Sequence, residues 1–333
     1  MKLLLAASFA ASFAFFSAVS IAASSRGLLL VANKGDHSLT IIDAQTQKTL
    51  GTVAEDGVTG HEVTATLDGR RAFVPIYGSG GVGGPGTDGH LVRVIDLDRR
   101  EIVATVDFGR GVRPHCAVTG PKSGLIYVTS ELLQSVSVID PTTSKIVASI
   151  PTGKDESHMF AISQDETRGY TANVGSGTVS VLDIPNRKTI TVIPVADIIQ
   201  RISLSADDRF VFTSDQREPR IAVIDTATNK VARWIKLPDV GFASTATPDG
   251  KTLIVVLTRS NRVCFVDLKT MDVTDMIELA RAPQEVLVEP DGSTAYVSCD
   301  ATRQVAVIDL SKHKVTGYLA AGAVADGLAW AKR

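Results

Sequence analysis

The sequence predicts an all-β chain folded as a seven-bladed β-propeller with four antiparallel strands per blade, its ring closed by N- and C-terminal strands that share one blade. Three observations carry this reading. A phrase of the Val-Ile-Asp type occurs seven times, its spacing is that of one propeller blade, and each end of the chain supplies strands that the other lacks. The copies are Ile41-Ile42-Asp43, Val94-Ile95-Asp96, Val138-Ile139-Asp140, Val181-Leu182-Asp183, Val223-Ile224-Asp225, Phe265-Val266-Asp267 and Val307-Ile308-Asp309. Successive aspartates lie 53, 44, 43, 42, 42 and 42 residues apart, so the first interval carries an insertion and the others keep a blade-length period.

Within a unit the order is an alternating run, a turn, a second β-rich run, the Val-Ile-Asp strand, and a fourth strand such as Lys145 to Ser149. The turn after the first strand holds Asp68-Gly69, Asp249-Gly250 and Asp291-Gly292, with Asp165-Glu166 and Asp207-Asp208 in the same register. Asp-Gly suits the positive φ of a two-residue hairpin. The aspartate that ends each phrase opens a further turn, as in Asp140-Pro141-Thr142-Thr143, where its carboxylate can accept backbone N–H bonds. These acids are read as turn chemistry. Leu28 to Asn33, Leu39 to Asp43 and Thr49 to Val53 form second, third and fourth strands with no first strand before them; the missing strand is Asp326 to Ala331. Joining the two removes open sheet edges. The propeller is expected over residues 24–333.

The 333 residues carry 34 Lys+Arg against 36 Asp+Glu and are 5% aromatic. That balance lacks the basic groove and stacking rings that nucleic-acid strands require, so nucleic acid is disfavoured as a partner. Met1-Lys2 and the apolar run Leu3 to Ala22, ending in small residues at Ser20, Ala22 and Ala23, read as a secretory signal peptide over residues 1–23. A periplasmic or extracellular location follows, and the mature chain has no further run long enough to span a bilayer. Cys116, Cys264 and Cys299 are an odd number, so at least one thiol stays unpaired in the expected monomer.

Tyr127-Val128-Thr129-Ser130, Tyr170-Thr171-Ala172-Asn173 and Tyr296-Val297-Ser298, each followed by a Val-Ile-Asp type of strand, resemble the YVTN propeller repeat over nearly the whole mature chain. The resemblance implies the fold and no single activity. Its relatives by fold include surface-layer proteins, phosphogluconolactonase-like lactonases, the haem domain of cytochrome cd-type nitrite reductase, nitrous oxide reductase and a periplasmic propeller that binds single-stranded DNA.

Function is sought where an unusual residue recurs at one register. Aligned on the spacing to Phe73, Tyr127, Tyr170, Phe212, Ile254 and Tyr296, the first strands open on His61, His115, His158, Gln200, Phe242 and Gln284, with Asp326 in the seventh. Three successive blades thus carry histidine at one position. First strands line a propeller's channel, so these rings should face one region. Three imidazoles can hold a transition-metal ion (Cu, Zn or Fe) with a coordination position left open. The alternatives are contacts to a small polar organic molecule, or rings that donate to a carbonyl at the channel mouth. Gln200, Gln284 and Asp326 make the rest of the ring polar. Arg113, Arg201 and Glu285, with Glu62, are charges able to orient a carboxylate or phosphate, or equally to form a solvated channel rim or inter-blade salt bridges.

The insertion Gly78 to His90 reads as a flexible glycine-rich loop between the second and third strands, on the face from which it can cover His61. Glu62 and His90 are the candidates for moving protons if the site is a metal-assisted hydrolase of the lactonase type. Cys116 directly follows His115, but strand alternation turns neighbouring side chains apart unless a bulge intervenes. The principal reading is a binding propeller for a small polar molecule at a His-lined channel mouth. A hydrolase, and an interaction scaffold or single-strand-binding propeller, are the alternatives.

Overall fold

Seven four-stranded antiparallel sheets account for nearly all the regular structure of the computed structural model, which describes residues 26–57 and 59–333. The expected signal peptide lies outside the described residues. Blade 1 comprises Thr64–Ala65, Arg71–Gly78, Asp88–Asp96 and Glu101–Asp107. Blades 2 to 6 repeat the pattern, with first strands Pro114–Thr119, Ser157–Ile162, Ile199–Leu204, Ser244–Ala246 and Pro283–Val288. Blade 7 closes the ring: Ala325–Lys332 pairs with Gly27–Asn33, followed by Ser38–Asp43 and Lys48–Ala54. The only helices among the described residues are single 3-10 turns at Glu131–Leu133 and Asp300–Thr302.

Burial explains the strand order. The second and third strands, rich in Val, Ile, Tyr and Phe, are covered on both faces by neighbouring blades, whereas the fourth strands alternate and face solvent. The register residues Phe73, Tyr127, Tyr170, Phe212, Ile254 and Tyr296 are all buried and fill the seams between blades. Tyr127 meets Phe160 of the next blade with ring centroids 5.8 Å apart.

All seven Val-Ile-Asp aspartates cap their turns as expected. Asp43 accepts from Thr46 N at 2.7 Å, Asp140 from Thr142 N at 2.8 Å and Asp309 from Ser311 N at 2.9 Å. Asp96, Asp183, Asp225 and Asp267 do the same. The turn after the first strand differs from expectation. Thr66 N bonds Arg71 O, so four residues form the loop instead of two, and only the second residue of each pair has positive φ: Gly69, Glu166, Asp208, Gly250 and Gly292. At Gly69 the carbonyl of Lys332 comes so close that a Cβ would lie 1.8 Å from it, which ties this turn to the closing strand.

Candidate functional site

Each of the seven first strands, or the segment entering it, contributes a residue to one small cavity of about 180 Å³, which therefore lies on the propeller axis. The contributions are His61, His115, His158, Gln200 with Arg201, Phe242, Gln284 and Asp326; Lys34 and Gly80 to Val82 complete the lining. The expected ring of equivalent positions is thus formed. His61 and His115 stand edge to face at 5.2 Å between centroids, and His115 lies against His158 at 3.6 Å. Tyr77, at the end of the second strand of blade 1, touches the group at 4.7 Å from His61 and 5.2 Å from His115.

Hydrogen bonding sets the state of these rings. His158 Nδ1 lies 2.8 Å from Glu131 Oε1, and Tyr77 OH donates to the same carboxylate at 2.9 Å from Oε2. Glu131 accepts, so the His158 proton sits on Nδ1 and Nε2 keeps its lone pair, 3.5 Å from Gln200 Nε2. His61 Nε2 and His115 Nδ1 are buried with no partner among the described residues. Burial pushes the His61 pKa down to about 2, that of His115 well below its ordinary value, and that of His158 down against the pull of Glu131. The cavity wall is therefore three neutral imidazoles.

Beneath them Arg201 gathers three acids. Its Nη1 donates to Glu62 at 2.5 Å and Glu285 at 2.6 Å, and its Nη2 to Asp326 at 3.2 Å, while Lys34 Nζ approaches Asp326 at 3.8 Å. The guanidinium packs over the Phe242 ring at 4.8 Å. Burial, and then the neighbouring acids, raise the Glu62 pKa to about 8 despite Arg201; burial also raises Glu285. Burial opposes the charge on Arg201, yet Glu62, Glu285 and Asp326 hold it firmly protonated.

The first strands break strict alternation at this position. The register with the second strand shifts between Pro114 and Ala117, Ser157 and Met159, Ile199 and Ile202, and Pro283 and Val286. These bulges let the adjacent Gln200 and Arg201 both reach the cavity. Cys116 nevertheless turns away, with Sγ 3.8 Å from Phe160 O, and burial holds its thiol protonated.

Three expected roles change. Glu62 is held in the Arg201 cluster and does not line the cavity, because a buried carboxylate pairs with the nearest buried cation. Arg113 is bound to the insertion instead of facing the ring: Nε donates to Asp88 at 2.6 Å and Nη2 to Gly84 O at 2.7 Å. His90 pairs with nothing closer than Asp107 at 4.0 Å, and its side chain is 46% exposed. Replacing His90 by alanine is expected to change stability by less than about 0.5 kcal/mol and to leave ligand binding at the cavity unaltered, as thermal melts and titrations would read. The loop itself behaves as expected, since Gly80 to Val82 cover the mouth.

The sequence reading missed Glu131 and Tyr77. Both stand where a second strand ends beside the start of a first strand, and that proximity was the available signal. A larger depression of about 650 Å³ lies at the other end of the strands. Three of its acids, Asp249, Asp291 and Asp309, are engaged by hydroxyls of their own turns, so the axial cavity with its unpartnered nitrogens is the better site. No three His, Cys, Asp or Glu side chains among the described residues stand as a ready-made metal-ligand set. His115 and His158 meet ring against ring, 3.6 Å between centroids and tilted by 31°, and not as two nitrogens converging on one ion.

The fold makes the chain a seven-bladed β-propeller with a polar axial cavity, and its repeat resembles the YVTN type. Residues 195–332 match the family model described as YNCE-like beta-propeller. Among solved structures, Kuenenia stuttgartiensis hydrazine synthase is similar at 20% identity and TM-score 0.70, over 90% of this chain and 99% of that one. A functionally unknown protein from Desulfotomaculum acetoxidans DSM 771 is similar at 13% identity and TM-score 0.75, over 92% and 99%. The dihydro-heme d1 dehydrogenase NirN, in complex with DHE, is similar at 16% identity and TM-score 0.65, over 94% and 77%. At these identities the likeness is one of fold. No curated protein matches the chain. No helix among the described residues is long and apolar enough to cross a membrane.

Proposed function

We propose that this propeller is a periplasmic or secreted binding protein that takes a small polar ligand in its axial cavity, through a transition-metal ion (Cu, Zn or Fe) held by His61, His115 and His158. The observation that carries the reading is the pair of buried, unpartnered nitrogens, His61 Nε2 and His115 Nδ1, beside a third ring whose lone pair faces the same space. An unsatisfied buried polar atom costs about 1–3 kcal/mol, which a ligand would recover. Glu131 on His158 Nδ1 is the outer-shell carboxylate that metal-binding imidazoles ordinarily have. Coordination by all three rings requires His115 to turn off the face of His158.

A volume of about 180 Å³ lies below the roughly 300–1,000 Å³ of common small-molecule pockets, so the occupant is an ion or a molecule of few atoms. NirN is described in complex with DHE; that precedent extends to the fold, and this cavity is far too small for a tetrapyrrole. Gln200 and Gln284 line the same space and can orient a polar molecule beside the ion, whereas Asp326 is engaged by Arg201 and Lys34. The hydrolase alternative loses the two groups expected to move protons, Glu62 and His90, and the comparisons add nothing in favour of a lactonase.

Elemental analysis tests the reading. Native protein exposed to Zn, Cu or Fe and then desalted should retain one ion per chain, and the His61/His115/His158 triple-alanine variant none. An empty native protein overturns the metal, and equal retention by the variant overturns the site.

A further inference from the structure

The glycine-rich insertion is the segment that covers the imidazoles, and a single buried side chain fastens it. Gly80, Gly81 and Val82 form the outer wall of the cavity, and beneath them His61, His115 and His158 are 7%, 2% and 2% exposed. The segment from Ser79 to Thr87 makes few bonds of its own: Ser79 N to Thr87 O at 3.0 Å, Thr87 N to Ser79 Oγ at 2.9 Å, and Gly84 N to Gly81 O at 2.9 Å. Its outer surface faces solvent and it packs no large apolar side chain. A segment so poor in contacts opens easily unless something else holds it.

Arg113 supplies that hold. Its guanidinium donates to Gly84 O at 2.7 Å, Gly81 O at 3.3 Å and Asp88 Oδ1 at 2.6 Å, so all three nitrogens are spent on the insertion. The side chain is only 6% exposed, and its Nη1 lies 3.9 Å from Glu131 Oε2, the carboxylate that orients His158. One buried cation therefore touches both the cover and the group that sets an imidazole beneath it. Charge-assisted bonds to carbonyls are about twice as strong as neutral ones, and among the described residues Arg113 is the cation hydrogen-bonded to residues 79–87.

We propose that residues 79–87 are a lid over the three-histidine cavity and that Arg113 is its clasp, a positioning residue that closes the site and links its closure to the Glu131–His158 pair. The proposal rests on the reading that the cavity takes a ligand, for which a lid would control entry and release. Arg113 itself touches no ligand.

Diethyl pyrocarbonate tests the lid without any ligand. It acylates a neutral imidazole nitrogen, transferring one ethoxycarbonyl group and releasing ethanol and carbon dioxide, and peptide mass spectrometry reads the rate at each histidine. In the native protein the exposed His37 and His90 should react promptly and His61 and His115 slowly. Arg113→Gln should speed His61 and His115 by about tenfold or more, with His37 and His90 unchanged. A second variant, in which an Asn-Gly turn replaces residues 80–86, removes the lid outright and should speed them at least as much. Cavity histidines that react in the native protein as fast as His37, or that ignore the shortened loop, overturn the lid. Acceleration by the shortened loop without acceleration by Arg113→Gln overturns the clasp. If the native protein retains no metal while the reactivity contrast persists, only the metal reading fails.

Discussion

Replacing His61, His115 and His158 together by glutamine is expected to turn a pH–stability profile that falls by at most about 2 kcal/mol between pH 7 and 5 into one that rises by roughly 4 kcal/mol on acidification. The three imidazoles have folded pKa values below the unfolded 6.5, so the unfolded chain binds more protons than the folded one and stability is lost as pH falls through 6.5. Over two pH units each such group can subtract about 2 kcal/mol. Two buried carboxylates act oppositely. Burial raises Glu62 to about 8 and Glu55, whose Oε2 accepts from Gly60 N at 2.9 Å, to about 7. The folded state holds those protons while the unfolded chain has lost them above about 4.5, so acidification from pH 7 to 5 adds about 2 kcal/mol for each. The carboxylates offset most of the imidazole term, so the native protein loses at most about 2 kcal/mol over this range. Below pH 4.5 the carboxylates saturate and the imidazoles continue, so native stability should then fall steeply. Denaturant unfolding at pH 7, 6, 5 and 4 measures both effects, and a triple variant with the native pH profile would show that the rings are not held neutral. His115→Gln alone should remove about a third of the difference.

Arg201→Leu should cost about 3–5 kcal/mol at pH 7, the range for removing one partner of a buried ionic group. The loss arises because Glu285 and Asp326 then share a buried space with only the half-exposed Lys34 as counter-ion, and Glu62 loses its hydrogen-bond donor. Two accompaniments separate this from simple loss of packing over Phe242. The penalty should shrink by pH 5, as Glu285, raised by burial, takes up a proton, and Glu62→Gln with Glu285→Gln should restore at least half of it at pH 7. A penalty that is independent of pH and unrelieved by the amides would mean that the cluster contributes shape and not charge. Chemical denaturation of the four variants decides.

The blades were legible because their signal is repeated and local. Seven Val-Ile-Asp phrases each need a strand and an Asx-type turn, and the structure supplies both in all seven. The convergence of His61, His115 and His158 was legible for the same reason, since equal register in a closed ring means equal position about its axis. What escaped depends on departures from the repeat. A bulge at Gln200–Arg201 leaves no mark in a hydrophobic pattern, yet it is what lets these two neighbours share one cavity. Glu131 belongs to a one-turn helix after the second strand of blade 2, outside any periodicity, yet it fixes His158. For Glu62, Arg201 and Glu285 inter-blade salt bridges are one of two readings that the sequence leaves open, and the structure shows them; that Asp326 joins the same cluster was not legible, because sequence separation conceals which blades point at one another.

The shared blade also orders events in time. Leu28 pairs with Ala331 and Leu29 with Trp330, contacts between residues about 300 positions apart, and such long-range pairing forms late and slowly. Asp326, which lines the cavity and binds Arg201, belongs to that last strand. A nascent chain can therefore stack most of its blades while Arg201 still lacks one of its three acids and the cavity one of its walls. The axial cavity is complete only when residues 325–332 have been made and have docked, so the affinity of any ligand of the kind proposed would report on finished molecules alone and pass over the unclosed ones.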